Sequence, residues 1–247
     1  NTFNGFTIIF SLGMVANFGS IYYLNRQYEP ENTTDDEIIE IDSSNTNIDS
    51  GLKRFITYDS LSEFSFHVSG PLMMVYWLRD LKFDYIELAI LINVSQVLGL
   101  FSMRYWGKRI DNNGSYSTIR FTSFCIGIFP MFWVGIYYLP NELILAGSII
   151  IASLASLMFS GRALALDNRL YEHMKNKKMI KVTSKRFFFR GLSIFIGGLI
   201  GGLLTRNESS LSNYIELDTV IHAVMGFSTV LRLGVWSYFL IDKRSEI

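Results

Sequence analysis

The stretch Tyr105-Trp-Gly-Lys-Arg-Ile-Asp-Asn-Asn-Gly-Ser-Tyr-Ser-Thr-Ile-Arg120 is a short polar segment between two long apolar runs. The upstream run, 85–103, has Glu87 as its one charge, and the downstream run, 119–139, has only Arg120. Each run is long enough to cross a bilayer as a helix. The stretch therefore predicts a helix hairpin that turns at a membrane surface.

Seven apolar runs have the length and composition of membrane-spanning helices, which predicts an all-α membrane protein with seven transmembrane helices. The runs cover 5–24, 55–78, 85–104, 119–140, 143–166, 187–205 and 217–241.

With 49% hydrophobic residues among 247, the chain is too apolar for an ordinary soluble domain. Its 22 basic and 22 acidic residues balance and indicate no nucleic-acid partner. Because Cys125 is the single cysteine, we predict no disulfide framework, no metal site and no cofactor.

Residues 27–54 are acidic and rich in Ser and Asn, which predicts a solvated cytoplasmic linker. It would join a transmembrane helix at 1–26 to a six-helix bundle at 55–247.

With this linker inside, the loops richest in Lys and Arg all fall on the cytoplasmic side. We therefore expect a multi-pass protein of the cell membrane, with the N-terminus of this chain outside and its C-terminus cytoplasmic. Because the first apolar run lacks the features of a signal peptide, we expect the chain to be part of a longer protein.

The polar segment of the hairpin contains a G-x3-D-x2-G arrangement formed by Gly107, Asp111 and Gly114. Gly107 would let a neighbouring backbone come close, Gly114 permits a positive-φ turn, and Asp111 can cap a helix or pair with a cation. In this motif, and in its place between two spans, the sequence resembles the major facilitator superfamily of secondary transporters. The resemblance implies a conformational-switch loop made of Gly107, Arg109, Asp111, Gly114 and Arg120.

The order of elements extends the resemblance over essentially the whole chain. In that family a long cytoplasmic linker joins two six-helix halves, and the second half repeats the hairpin motif between its second and third helices. Here the linker follows span one and the motif follows span three. The resemblance implies that spans two to seven are a C-terminal half, built as two three-helix repeats. It implies a transporter that works by alternating access, with the lipid bilayer, a missing N-terminal half, a small-molecule substrate and a candidate coupling proton as partners.

Asp59, Glu63 and His67 lie along one face of the second span, because they are spaced by four residues. Two carboxylates and an imidazole are expensive to expose to lipid, so this face must look into protein or water. The stripe could bind a polar substrate or carry a coupling proton. Alternatively, Asp59 lies at the wet end of the helix, and the other two side chains bond to neighbouring helices.

Arg162 in the fifth span is expected at about the same depth as Glu63, so the two could pair. The resemblance places both on cavity-lining helices, where the pair would be a gate or a substrate clamp. The alternative is that Arg162 snorkels to the headgroups. Further buried-polar candidates are Asn93 and Gln96 in span three and His222 and Arg232 in span seven.

Proline and glycine mark two packing features. Gly70-Pro71 predicts a kink in the second span. Four glycines in the sixth span form overlapping small-xxx-small pairs and are expected to meet a helix of the missing half. They are Gly197, Gly198, Gly201 and Gly202.

Two other classes of protein remain open. Seven spans also suit a non-transporting heptahelical receptor or scaffold, although that class does not explain the acidic linker. A membrane-embedded enzyme could use Asp59, Glu63 and His67 as an acid/base or metal set. Since no soluble-enzyme motif occurs in the sequence, we expect a protein that is not an enzyme.

Overall fold

The computed structural model describes residues 50–172, 179–206 and 220–241, together with Met14, Phe18, Gly19 and Tyr22. The chain divides into two compact units, Asn1–Asn47 and Ile48–Ile247, and the helices below belong to the second. The first predicted span, 5–24, and most of the linker predicted at 27–54 lie outside the described residues.

The described residues fold into helices, and no β-strand occurs among them. The predicted all-α class is therefore confirmed for this part of the chain. In chain order the elements are α1 (Ser50–Ser69), α2 (Leu72–Val75), a π-helical turn (Tyr76–Asp80), α3 (Tyr85–Tyr137), α4 (Asn141–Glu172), α5 (Met179–Arg206) and α6 (Val220–Ile241).

Four helices of the described part are long and apolar enough to cross a membrane. They are Tyr85–Tyr137, Asn141–Glu172, Val182–Thr205 and Val220–Phe239. Only 6% to 39% of the most apolar window of each helix is buried inside the bundle. An apolar surface of this extent is unfavourable in water but matches lipid. The fold thus indicates a helical membrane protein, while the count of seven crossings remains a prediction.

Helix α3 contains the predicted hairpin. Its 53 residues would measure about 80 Å as a straight helix, against roughly 30 Å for a hydrocarbon core. The helix instead breaks at Gly114, whose φ of 81° and ψ of 157° are not helical. The ring centroids of Trp106 and Phe121, on either side of the break, are 6.4 Å apart. A straight helix would separate these residues by about 22 Å, so the two arms fold back on each other and the predicted hairpin is confirmed.

A second break separates α1 from α2 at the predicted kink. Pro71 has no amide hydrogen to continue the helical ladder, and the helix resumes at Leu72. The prediction of a kink in span 55–78 is confirmed. The four apolar helices do not include α1, which carries Asp59 and Glu63 within its 20 residues.

Two clusters of buried side chains lie at opposite ends of the bundle and show how the helices alternate. The cluster at the Gly114 end joins α1, both arms of α3, and α4 to α6 through Phe55, Ile110, Ile119, Leu166, Val182 and Phe239. The cluster at the Leu81 end joins the π-helical turn, the outer ends of the α3 arms and the start of α6 through Tyr76, Leu81, Leu88, Ile136 and Ile221. Successive helical arms therefore run in alternating directions, as serial membrane crossings require.

Gly197 and Gly201 lie on α5 where it packs against α1. A Cβ on Gly197 would come within 2.6 Å of the Phe64 carbonyl oxygen, and one on Gly201 would overlap the Val68 carbonyl oxygen. The two glycines thus allow close backbone contact within this bundle. The prediction that they face a helix of a missing half is wrong. For Gly202, no atom of another described element lies within 4 Å of the Cβ position.

We expect Gly201→Ala to destabilise the bundle, because the added methyl group meets a backbone oxygen that cannot rotate away. Overpacking of this kind costs about 1–3 kcal/mol. Gly202→Ala is the matched control on the same helix, and it should be neutral or slightly stabilising, since alanine favours a helix by up to about 1 kcal/mol. Thermal unfolding of the purified variants in detergent measures both effects. Equal melting temperatures would contradict the packing described.

The alternation of helix ends makes the predicted orientation testable with exposed positions at opposite ends. Lys108 lies near the Gly114 end, and Glu142 lies in the first turn of α4 at the Leu81 end. We expect a membrane-impermeant maleimide to label Glu142→Cys in intact cells and Lys108→Cys only after permeabilisation. Cys125→Ser removes the single native thiol and serves as the background. The opposite labelling pattern would reverse the predicted orientation.

Candidate functional site

The α1 stripe turns its first two carboxylates into the bundle. Asp59 has no exposed surface, Glu63 is 4% exposed, and His67 is partly exposed. The alternative that Asp59 lies at the wet end of its helix is therefore wrong. A carboxylate buried this completely needs positively charged partners.

Arg162 of α4 reaches both carboxylates. Its Nη2 lies 3.5 Å from Asp59 Oδ1, and its Nη1 lies 3.5 Å from Glu63 Oε1. The predicted pair of Glu63 with Arg162 is confirmed, and the alternative of snorkelling is wrong because the Arg162 side chain is 4% exposed. Both contacts are at the long end of the hydrogen-bond range. The Nε of Arg162 is buried and has no hydrogen-bond partner among the described residues.

Two arginines of α5 complete the pairing. Arg186 Nε lies 2.7 Å from Asp59 Oδ2, and Arg190 Nη2 lies 3.0 Å from Glu63 Oε1. Arg186 also bonds through Nη1 to Asp167 Oδ1 of α4 at 2.9 Å. We call Asp59, Glu63, Arg162, Arg186 and Arg190 the ion cluster. Each of its carboxylates is held by one arginine of α4 and one of α5.

Hydropathy does not single out the two α5 arginines, because both belong to a basic cluster, 175–190, which the sequence places on the cytoplasmic side where the span at 187–205 begins. The structure starts the helix at Met179, so both arginines lie within it. A signal was present, because Arg186 and Arg190 have the same four-residue spacing as Asp59 and Glu63. Equal spacing on two neighbouring helices lets charges meet in register.

The His67 ring contacts both the backbone carbonyl and the side-chain carboxylate of Glu63. Its Nδ1 lies 2.9 Å from the Glu63 carbonyl oxygen and 3.7 Å from Glu63 Oε2. A carbonyl oxygen only accepts hydrogen bonds, so Nδ1 carries the proton.

Arg232 of α6 approaches the same region but is held by neutral oxygens. Its Nε donates to Ser228 Oγ at 3.1 Å, and its Nη2 donates to Ser69 Oγ at 3.0 Å. Its Nη1 donates to the Ile126 carbonyl at 3.2 Å, and Nη2 also reaches the Phe66 carbonyl at 3.4 Å. In the part of the chain that the structure describes, no carboxylate pairs with Arg232.

A cavity of about 420 Å³ opens beside the ion cluster. Its polar lining comes from four helices and consists of Glu63, His67, Ser69, Arg162, Arg190 and Arg232. Its apolar lining consists chiefly of Phe66, Met73, Phe129, Pro130, Trp133 and Phe159. This volume lies within the usual range of small-molecule sites, about 300–1,000 Å³. The arrangement can hold a small solute against fixed charges.

Asn93 and Gln96 do not join this site. Both lie on the exposed face of the first arm of α3, and Asn93 Nδ2 donates to the Ala89 carbonyl of its own helix at 2.7 Å. His222 is buried near the Leu81 end, where its ring contacts Tyr76 and two other tyrosines.

The predicted switch loop is only partly realised in the contacts of the described residues. Gly114 makes the turn, but no atom lies within 4 Å of a Cβ at Gly107, and Asp111 is exposed without a hydrogen bond or ion pair there. The Arg109 guanidinium stacks 4.8 Å from the Phe121 ring centroid. Arg120 is exposed, and its carbonyl accepts a hydrogen bond from Trp236 at 2.9 Å. The predicted close approach at Gly107 and the predicted cap or ion pair of Asp111 are not found in this part of the chain.

No family model matches the chain, and no curated protein matches it. The site is therefore interpreted from its own geometry.

We expect Arg186→Gln to destabilise the protein strongly, since it leaves the fully buried Asp59 with only its longer contact to Arg162. Breaking a buried ion pair typically costs about 3–5 kcal/mol. Lys185→Gln, at the exposed neighbouring position, is the matched control and should have little effect. Chemical denaturation in detergent compares the two variants. If both shift the midpoint equally, the Asp59 pairing does not stabilise the fold.

Proposed function

We propose that this chain is the C-terminal half of a secondary active transporter of the major facilitator type, together with the one helix that precedes this half. It would move a small solute across the cell membrane by alternating access, together with an N-terminal half. The observation that carries the proposal is the ion cluster, which lies beside a 420 Å³ cavity in a bundle with an apolar exterior.

Stability alone is a poor reason for burying these charges. Well-packed apolar residues in place of a buried ion pair are often as stable or more stable. Ionisable groups within a helical membrane bundle are costly, and they typically line a substrate or ion pathway. Here Glu63, Arg162 and Arg190 belong both to the cluster and to the cavity wall. The charges therefore lie where a solute would contact them.

The arrangement of the helices supports the same class. The bent segment α1–α2 and the two arms of α3 form one set of three alternating arms, and α4, α5 and α6 form a second. By the family resemblance, the first helix of each set lines the central cavity. Glu63 and Arg162, which pair at 3.5 Å, come from these two first helices. A gate formed by this pair would open when the two helices separate.

The ion pairs weaken the case for a membrane-embedded enzyme. In that alternative Asp59 and Glu63 would act as acid, base or metal ligands. Both carboxylates are instead contacted by two arginines each, and these contacts occupy their oxygens. A non-transporting receptor or scaffold is not favoured by any particular contact.

Transport is tested with the complete open reading frame that encodes this chain. Cells that express it are compared with vector controls for depletion of solutes from a defined medium, and the depleted solute is then used in reconstituted vesicles. We expect Glu63→Gln to lower uptake by at least about tenfold at equal expression, because Arg162 and Arg190 lose their shared partner. Glu142→Gln, an exposed carboxylate at the end of α4, should leave uptake unchanged. Wild-type uptake in Glu63→Gln would refute the assigned role of the cluster.

Charge reversal distinguishes a network from an isolated pair. If Glu63 and Arg162 formed an isolated pair, the double variant Glu63→Arg with Arg162→Glu would restore the ion pair with its charges exchanged. Here it would place a new arginine beside Arg190 and a new glutamate beside Asp59. We therefore expect no recovery of expression or transport in the double variant. Substantial recovery would show that Glu63 and Arg162 act without the α5 arginines.

A further inference from the structure

We infer that the cavity binds the anionic group of a small organic solute whose remaining body is apolar. The inference rests on the proposed function and specifies the substrate class of the same site. Three observations carry it: the charges of the cavity wall, the neutral partners of Arg232, and the aromatic surface opposite the arginines.

The charged groups that line the cavity are unbalanced. Three guanidinium groups, those of Arg162, Arg190 and Arg232, face the cavity together with one carboxylate, that of Glu63. Asp59 lies behind Arg162 and makes its shortest contact with Arg186 at 2.7 Å. The cavity wall is therefore positive, and in a surrounding of low dielectric it attracts an anion strongly.

Arg232 is positioned without being neutralised. Two serine hydroxyls and two backbone carbonyls hold its guanidinium, while no carboxylate of the described residues pairs with it. The Phe66 ring is flanked by both Arg232 and Arg162, whose Cζ atoms lie 5.0 Å and 4.8 Å from its centroid. Four of the five N–H groups of Arg232 bond to these neutral oxygens, so its positive charge and one N–H remain for a ligand. A carboxylate or a phosphate can accept that hydrogen bond and pair with the charge.

The rest of the wall suits an apolar body. Met73, Phe129, Trp133 and Phe159 line the cavity beside the charged groups. A sugar or another polyhydroxylated solute would leave its hydroxyl groups without partners against these side chains. A carboxylate or phosphate ester with an aliphatic or aromatic body fits both parts of the wall.

The experiment measures binding without transport. The complete protein is purified in detergent, and its thermal unfolding is followed with benzoate, octanoate and phenyl phosphate as probes. Benzamide and octanamide are the neutral counterparts, and inorganic phosphate tests the anion without a body. We expect at least one organic anion to raise the melting temperature in a saturable manner, because a ligand of the folded state stabilises it. Stabilisation by benzoate or octanoate identifies a carboxylate as the accepted anionic group, and stabilisation by phenyl phosphate identifies a phosphate ester.

Variants locate the effect. Arg232→Met should weaken the apparent affinity for the binding anion by about ten- to a hundredfold, the range expected for a lost hydrogen bond to a charged group. Arg190→Gln, at the half-exposed edge of the cavity, should weaken it in the same direction and is less disruptive to folding. Arg104→Gln removes an exposed arginine of α3 and should leave the affinity unchanged.

Stabilisation by the amides as strong as by the carboxylates would overturn the inference, and so would the absence of a shift with every organic anion. Inorganic phosphate alone as a ligand would overturn the requirement for an apolar body. If an anion binds through Arg232 but the reconstituted protein does not move it, the proposed transport function fails while the anion site stands. If uptake of a neutral solute depends on Glu63 but no anion binds, the transporter stands and the anion site fails.

Discussion

Asp59 is buried so completely that the bundle can exist only with positive charges next to it. The two guanidinium groups that reach its carboxylate come from α4 and α5, so this single side chain constrains three helices at once. Further polar contacts link α1 to other elements. Tyr58 shares a hydrogen bond of 2.6 Å with Ser123 of the second α3 arm, and Ser69 donates to Ser228 of α6 at 3.0 Å. The helix that carries the buried carboxylates is thus held to α3, α4, α5 and α6 by polar contacts.

Apolar exteriors and polar contacts have different roles in this fold. The long apolar faces of α3 and α4 face outwards, where lipid requires no specific partner. Register between the helices comes from small residues and paired charges. Gly161 allows the Trp106 indole to lie against α4, and Gly201 allows α5 to lie against α1. Tightly packed positions of this kind have one favourable arrangement, whereas an apolar face against lipid has many.

The sequence predicts those features that depend on the spacing of apolar residues or on the backbone conformation of single glycines and prolines. The hairpin followed from two apolar runs and a glycine that adopts φ of 81°, and the kink followed from Pro71. The contact between Glu63 and Arg162 could be predicted because both residues were expected at about the same depth in their helices. The role of Arg186 could not be predicted in this way, because a basic residue lowers the hydropathy of its segment whether it faces water or a buried carboxylate. For the same reason the sequence left open whether Asp59 faces the bundle or lies at the wet end of its helix. The structure buries Asp59 fully and pairs it with Arg186, 127 residues away.

The distance along the chain between these partners has a consequence for biogenesis. Residues 50–69 carry two carboxylates into the interior of the bundle, while the arginines that pair with them are encoded 99 to 127 residues later. During synthesis α1 emerges from the ribosome well before either partner, and it is not one of the helices apolar enough to partition into lipid alone. We infer that α1 remains at the membrane interface or beside the insertion machinery until α4 and α5 have been synthesised. Packing of this helix into the bundle is then a late, cooperative step of assembly, even though its codons are translated early.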